Sequence, residues 1–190
     1  MSEVAQLYKY NLDAFTLEKH SEDYFAEHFN PFEDMNSTYW LNFHSMKNKA
    51  AINKLCDKLC IDRLLQEDLF AENRRTRLEE YSDYVFFSIV SALPKEGPNH
   101  YDLNKERIGF IIGDNYLISF QQKPSDHFPE VRERIECKRG KVRYKGPDFL
   151  LFRMLEAIID NYTEVVEQIA LNIEKLDRKS TRLNSSHITI

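Results

Sequence analysis

The sequence lacks an apolar run long enough to cross a membrane. Its longest apolar stretches are 84–93 and 108–120, and Gly113, Asp114 and Asn115 interrupt the second. A membrane-spanning helix needs about 20 predominantly apolar residues. The first residues also lack the basic and apolar regions of a signal peptide. We therefore expect the chain, as it stands, to be soluble.

Cysteine and glycine are both scarce, with three and five residues. Cys56, Cys60 and Cys137 show no CxxC spacing, which is typical of a reducing compartment, and we expect them to be buried thiols. His44 adds no zinc-site spacing to them. The sequence also lacks GxSxG, HExxH and a glycine-rich phosphate loop. It therefore favours a protein that is not an enzyme and has no catalytic residues, since a hydrolase or nucleotide-binding domain would need such a loop.

An excess of positive charge is absent as well. The chain of 190 residues has 26 Lys+Arg and 31 Asp+Glu, a net charge of -5. This balance argues against nucleic acid as a partner and permits a cation. The basic stretch Lys138–Lys145 could hold a phosphate or a lipid headgroup. Its interruption by Gly140 favours a solvated turn instead.

What the sequence does contain, from Ser37 on, is an alternation of strand and helix patterns typical of an α/β protein. Gly113 and Asp114 predict a hairpin turn, and Asp62 predicts a helix N-terminus. Residues before Ser37 are too weakly periodic to assign. Strands are predicted at 37–43, 83–93, 107–112 and 115–121, and helices at 52–60, 62–71 and 125–136, the last capped by Ser125 or Asp126. The fold class is therefore a mixed β-sheet sandwiched between helices in αβα layers, over residues 1–146.

The last predicted element is a long helix that begins at Pro147. Its apolar residues repeat with a period of 3.5, as in a helix that packs against partner helices. Residues 147–177 are therefore predicted to be the start of a stalk helix. The pattern stops after 177, and we interpret 178–190 as a non-native tail that follows a truncation. The seam consists of Phe152, Leu155, Ile159, Tyr162, Val166, Ile169, Ile173 and Leu176, while Leu151, Ile158 and Val165 widen it for packing on the domain.

Two adjacent carboxylates, Glu67 and Asp68, lie late in the short helix that Asp62 begins. The negative end of a helix dipole disfavours acids there by roughly 0.3 to 1 kcal/mol each, so a cation is expected nearby. Spacing alone favours a solvated acidic pair that Arg74, Arg75 and Arg77 balance. It does not exclude a bound metal ion.

Several segments, in this order, resemble the soluble N-terminal domain of the CorA-type magnesium and cobalt transporters. The resemblance runs from about residue 37 to residue 176. It is carried by the series and not by one motif. The segments are YWLNF, LLQEDLF, RLEEYSDYVFFSI, ERIGFIIGDNYLISFQ, FPEVRERI and RGKVRYKGPDFLLFRMLEAIIDNY, followed by the heptad helix.

The resemblance implies a domain on the cytoplasmic side of the cell membrane, a long stalk helix, two transmembrane helices and a homopentamer. The sequence contains neither the transmembrane helices nor the Gly-Met-Asn signature of the family's pore. Any membrane attachment would therefore come from missing C-terminal helices. Whether this chain assembles or stays a monomer remains open. The alternative is a soluble oligomerising or ligand-binding α/β module without a transport role.

The resemblance also gives the acidic pair a role. In the family, an acid of the LLQEDLF helix faces an acid on a neighbouring subunit's stalk, and a divalent cation between them holds the channel closed. Asp68 matches that position and Glu67 lies beside it, so both are predicted metal ligands. The ion would be Mg²⁺, Co²⁺ or another divalent cation, and Mg²⁺ needs only one or two carboxylates because it keeps its waters.

Overall fold

The computed structural model describes residues 4–71, 75–94, 103–123 and 125–186. Seven strands within these ranges form one mixed sheet in the order β2-β1-β3-β7-β6-β5-β4. The β3–β7 pair is parallel and the other pairs are antiparallel. The strands are β1 (Val4–Tyr10), β2 (Phe15–Ser21), β3 (Thr38–Phe43), β4 (Arg77–Glu80), β5 (Val85–Pro94), β6 (Leu103–Ile112) and β7 (Tyr116–Gln121).

Helices cover both faces of this sheet. Because successive strand residues point to opposite faces, Trp40 and Leu117 lie in one core while Leu41 and Ile118 lie in the other. The first core also holds α4 and α5, and the second holds α1, α2 and α3. The predicted αβα sandwich is therefore confirmed. The helices are α1 (Glu22–His28), α2 (Lys49–Lys58), α3 (Arg63–Leu69), α4 (Pro129–Glu136) and α5 (Pro147–Ser186).

The sequence did not reveal strands β1, β2 and β4 or helix α1. β2 is one of the two edge strands, and only part of its surface is covered. Its polar residues Lys19 and His20 blur the alternation that marks a strand. β1 is buried further in, where Tyr8 stacks on Trp40 with 4.6 Å between ring centroids. Tertiary contacts thus hold a segment whose local pattern is weak.

Helix α5 begins at Pro147 as predicted and has two apolar faces. Leu150, Met154 and Ile158 are fully buried against the sheet. The predicted seam points elsewhere: Phe152 is 56% exposed and Ile159 is 62% exposed. The helix also continues to Ser186, beyond residues 147–177, which were predicted to be the start of a stalk helix. The origin of 178–190 stays a prediction, and 187–190 lie outside the described residues.

Two further expectations were wrong, one about the cap of α4 and one about the burial of the cysteines. Helix α4 has Phe128 as its N-cap, without a side-chain cap, because Asp126 lies two residues upstream and pairs with Arg132. Cys60 and Cys137 are exposed, and only Cys56 is buried. Both exposed cysteines follow the last turn of a helix, where the chain returns to the surface.

The predicted cap of α3 is confirmed. Oδ1 of Asp62 accepts hydrogen bonds from the backbone N–H groups of Leu64 at 2.8 Å and Leu65 at 3.4 Å. We expect Asp62→Ala to lower the free energy of unfolding by about 1 kcal/mol. Urea unfolding would measure the loss, with Asp62→Asn as the control that keeps a capping oxygen. Equal losses in the two variants would contradict a capping role.

Candidate functional site

The two predicted metal ligands of α3 lie in different environments. Asp68 is 5% exposed and points toward the sheet, on the same face as the buried Leu65 three residues before it. Glu67 is exposed to solvent. Neighbouring residues of a helix point in different directions, whereas residues three or four apart share a face. The structure therefore places one carboxylate inside the protein and one on its surface.

A buried arginine binds Asp68 and the end of its helix. Nη2 of Arg107, on β6, lies 3.0 Å from Oδ2 of Asp68 and 3.1 Å from Oγ of Ser88. Nη1 donates to the carbonyl oxygens of Asp68 at 2.7 Å and of Ala71 at 3.1 Å. A cation near the C-terminus of a helix interacts favourably with the helix dipole and with acidic residues in the last turn. Arg107 is thus one of the cations that were expected near Asp68.

A second guanidinium group reaches the same carboxylate oxygen. Nη1 of Arg77, on the edge strand β4, lies 3.0 Å from Oδ2 of Asp68, and its Nη2 lies 2.6 Å from Oε2 of Glu79. Burial lowers the pKa of Arg77, but Glu79 and Asp68 raise it by more, so the net direction is upward. The hydrogen bond from Arg77, followed by one from Tyr81, lowers the pKa of Glu79. Charges therefore alternate from Arg107 through Asp68 and Arg77 to Glu79.

Glu67 lines an open cavity of about 280 Å³ between α2 and α3. Nε2 of Gln66 donates to Oδ1 of Asp57 at 2.9 Å. The other residues that line the cavity are Asn53, Asp57, Arg63, Gln66 and Phe70, so one guanidinium group lies among the oxygen atoms. Carboxylate and amide oxygens suit a hydrated Mg²⁺, which uses few protein ligands. Across the described ranges, no group of three or more His, Cys, Asp or Glu residues is placed to hold a metal ion. The donors fit a weakly held, hydrated cation at Glu67, whereas a cation at Asp68 would have to replace a guanidinium group.

The structure thus joins Asp68 to Arg77, one of the three arginines that the sequence offered as partners. Arg75 is exposed, and Arg74 lies outside the described residues. Sequence reasoning missed Arg107. The available signal was a lone cation inside the apolar strand ERIGFII, because a charged residue in a covered strand needs a buried partner.

The basic stretch Lys138–Lys145 forms a largely exposed turn after α4. Arg143 is the residue of this stretch that has a structural role. Its Nε donates to the carbonyl of Ile135 at 2.6 Å, and its Nη2 donates to the carbonyl of Glu136 at 2.9 Å. These bonds satisfy carbonyl groups at the end of α4. The stretch therefore has a role in the fold that needs no ligand.

Hydropathy gives no candidate for a transmembrane helix within the part of the chain that the structure describes. The long helix α5 is amphipathic and rich in charged residues, which keeps its mean hydropathy below that of a membrane span.

Several known proteins resemble this chain. A family model described as CorA-like Mg²⁺ transporter protein matches residues 35–188. The cobalt/magnesium transport protein CorA of Thermotoga maritima is 30% identical over 149 residues, which cover 78% of this chain and 42% of that protein. The soluble domain of CorA from Methanocaldococcus jannaschii superposes with a TM-score of 0.67 at 20% identity, covering 91% of this chain and 63% of that one. The cytoplasmic domain of ZntB from Vibrio parahaemolyticus gives a TM-score of 0.64 at 16% identity, covering 92% and 65%.

The similarity to the solved structures, at 20% and 16% identity, shows a common fold. The present chain spans less than half of the Thermotoga maritima protein, at 42% of its length.

Proposed function

The chain belongs to the family of CorA-like Mg²⁺ transporter proteins, and from this premise we propose that it forms the cytoplasmic, metal-sensing domain of a divalent-cation transporter. The observation that carries the proposal is the combination of an αβα domain with the 40-residue helix α5. The likeness to a CorA soluble domain supports the same assignment. In the full-length protein the domain would lie on the cytoplasmic side of the cell membrane.

We propose that the full-length protein assembles as a homopentamer through the exposed seam of α5. The seam repeats at the spacing that helices use to pack on one another. Contiguous exposed apolar residues of this extent mark an interaction surface. Its exposed members are Phe152, Ile159, Tyr162, Val166, Ile169, Ile173 and Leu176.

The acidic residues of α3 would make this assembly sensitive to cations. Glu67 is exposed and lines the same cavity as Asp57, whereas Asp68 is buried. Carboxylates of neighbouring subunits repel one another across an interface, and a divalent cation between them screens the repulsion. Loss of the cation would favour separated subunits and an open pore. Mg²⁺ or Co²⁺ would be the regulatory ligand.

A second candidate is a soluble oligomerising module without a transport role. The pairing of Asp68 with Arg77 and Arg107 favours it, because this carboxylate is balanced without a metal ion. The two candidates differ in their response to Mg²⁺.

We expect MgCl₂ at about 10 mM to raise the thermal midpoint of the chain by a few degrees, as for a weak ligand that binds the folded state. NaCl at matched ionic strength should give a smaller rise. Glu67→Gln should remove the specific part, since it removes the exposed carboxylate. Glu130→Gln is the matched control, because Glu130 is an exposed acid on α4, in the opposite helical layer. A chain that responds equally to both salts would contradict metal sensing and leave the family assignment intact.

A further inference from the structure

A second open cavity, of about 190 Å³, lies between strands β1 to β3 and helix α1. Its apolar wall is packed in place, because Leu7, Phe25 and Phe29 line it and none of them is more than 8% exposed. The ring of Tyr24 also lines it and is held between two imidazole rings, with its centroid 4.0 Å from that of His20 and 4.4 Å from that of His28. The volume is below the roughly 300–1,000 Å³ of pockets for drug-sized ligands, so the cavity suits a small metabolite.

The cavity contains two donors for an anionic group. Nζ of Lys9 lies 3.4 Å from Oδ2 of Asp34. The interaction with Tyr39 contributes most to raising the pKa of Lys9, against the effect of burial, and Asp34 adds to it. An ammonium group has three donors, so these two partners leave at least one for a ligand. The second donor is Nδ2 of Asn30, because Oδ1 of that side chain accepts from the backbone N–H of Phe32 at 3.3 Å.

The cavity also contains acceptors for a cationic group. Glu18 and Glu33 line it, are exposed, and form no ion pair with any residue in the described part of the chain. Lys9 lies on the strand beside Glu18 but pairs with Asp34 instead. Nδ1 of His28 lies 2.9 Å from a carbonyl oxygen, so Nδ1 carries the hydrogen and Nε2 of the neutral ring is a further acceptor. Two carboxylates without a cation thus lie in the same small cavity as an ammonium group.

We propose that this cavity binds a free α-amino acid with an apolar side chain of the size of leucine or phenylalanine. The carboxylate of the ligand accepts hydrogen bonds from Lys9 and Asn30. Its ammonium group donates to Glu18 or Glu33, and its side chain packs on the apolar wall. The site is separate from the cavity at Glu67, which is lined by other residues. The inference therefore does not rest on the metal-sensing function.

The charges in the cavity select a ligand that carries both signs. A carboxylic acid without an amine would meet the negative potential of Glu18 and Glu33, and an amine without a carboxylate would meet the ammonium group of Lys9. Like charges that face one another across a site oppose binding, whereas complementary charges fix the orientation of the ligand. An α-amino acid matches both sets of groups, and its apolar side chain is what the buried rings require.

The test is a titration of the chain with L-leucine, followed by calorimetry and by the amide chemical shifts of the ¹⁵N-labelled chain. We expect a dissociation constant on the order of 1 mM, as for a ligand of few atoms in an open cavity. The largest shift changes should lie in β1, β2 and α1. Two analogues separate the charges: 4-methylpentanoic acid lacks the amine, and 3-methylbutylamine lacks the carboxylate. Each should bind at least about tenfold more weakly than leucine.

Two variants test the charged groups of the chain. Lys9→Met removes the donor to the carboxylate, and Glu18→Gln combined with Glu33→Gln removes both carboxylates. Each should weaken leucine binding about tenfold. The Glu18 and Glu33 replacements should leave the thermal midpoint close to that of the unmodified chain, because both residues are exposed. Lys19→Met is the matched control, since Lys19 is exposed and points to the opposite face of the sheet from Glu18.

Several results would overturn the proposal. Leucine that causes no shift changes at about 10 mM, or changes them only outside β1, β2 and α1, would show that the cavity is not its site. An amine that binds as tightly as leucine would mean a cation site instead. Variants that bind leucine as Lys19→Met does would mean that the charges play no part. None of these results bears on the response to MgCl₂, so metal sensing stands or falls separately.

Discussion

Replacement of Arg107 by methionine is expected to lower the free energy of unfolding by about 3–5 kcal/mol. The substitution leaves Asp68 buried with one guanidinium group fewer, and that remaining group, Arg77, lies at the sheet edge. It also removes the donor to Oγ of Ser88 and to the carbonyl of Ala71, whereas the carbonyl of Asp68 keeps the bond from the backbone N–H of Ala71. Buried polar groups that lose a partner carry the full penalty of their lost hydration.

Urea unfolding measures this loss, and Arg178→Met is the matched control, because exposed substitutions usually stay within about 0.5 kcal/mol. A double variant, Asp68→Leu with Arg107→Met, should recover part of the stability, since the buried charge is then gone as well. An Arg107→Met loss no larger than that of the control would mean that the pair contributes nothing net. Arg107→Lys should fall between, because an ammonium group cannot reach four acceptors in a fixed fork.

The Arg107–Asp68 pair also shows where sequence reasoning ended. Asp62 could be predicted as a cap because its partners lie two and three residues away. The hairpin at Gly113 could be predicted for the same reason. The N–H of Gly113 donates to the carbonyl of Tyr116, only three residues away, at 3.0 Å. Arg107 and Asp68 are 39 residues apart, and only the packing of α3 on β6 joins them. Local signals predict local structure.

The same limit applies to the faces of α5. The period of the seam predicted a helix and an apolar stripe, and both are present. The sequence could not say which of two overlapping stripes meets the sheet. Leu150, Met154 and Ile158 do so, while the longer seam stays exposed. The exposed stripe is the one that the pentamer proposal needs, whereas the buried one fixes the direction in which α5 leaves the domain.

A second buried group of hydrogen-bonded side chains lies near α5 and consists of His127, Glu106 and Ser91. Nε2 of His127 contacts Oε1 of Glu106, and its Nδ1 lies 3.0 Å from Oγ of Ser91. The side chains of His127 and Glu106 are both fully buried, and Oε2 of Glu106 accepts a hydrogen bond from the backbone N–H of Lys123 at 2.9 Å. The group therefore ties β5, β6 and the segment before α4 together.

Replacement of His127 by leucine is expected to lower the free energy of unfolding by about 2–3 kcal/mol, because Glu106 and Ser91 each lose a buried hydrogen-bond partner. Glu106→Gln should lose only about 1 kcal/mol, since its amide still bonds His127 and Lys123. Urea unfolding of both variants, with the double replacement of His127 and Glu106 by leucine, measures the coupling between them. Equal losses for His127→Leu and Glu106→Gln would contradict a penalty from a buried carboxyl group that has lost its partner.

The effect of His127→Leu should reach α5 as well. Val90 precedes Ser91 on β5, and its carbonyl accepts a hydrogen bond from the hydroxyl of Tyr162 at 2.8 Å. A loosened end of β5 would therefore free the part of α5 that follows Ile158, while Leu150 and Met154 keep the first turns on the sheet. His127→Leu should therefore accelerate amide exchange more in the part of α5 after residue 158 than in the part before it. Uniform acceleration along α5 would mean that the hydrogen bonds of His127 stabilise the whole domain and do not set the position of the helix.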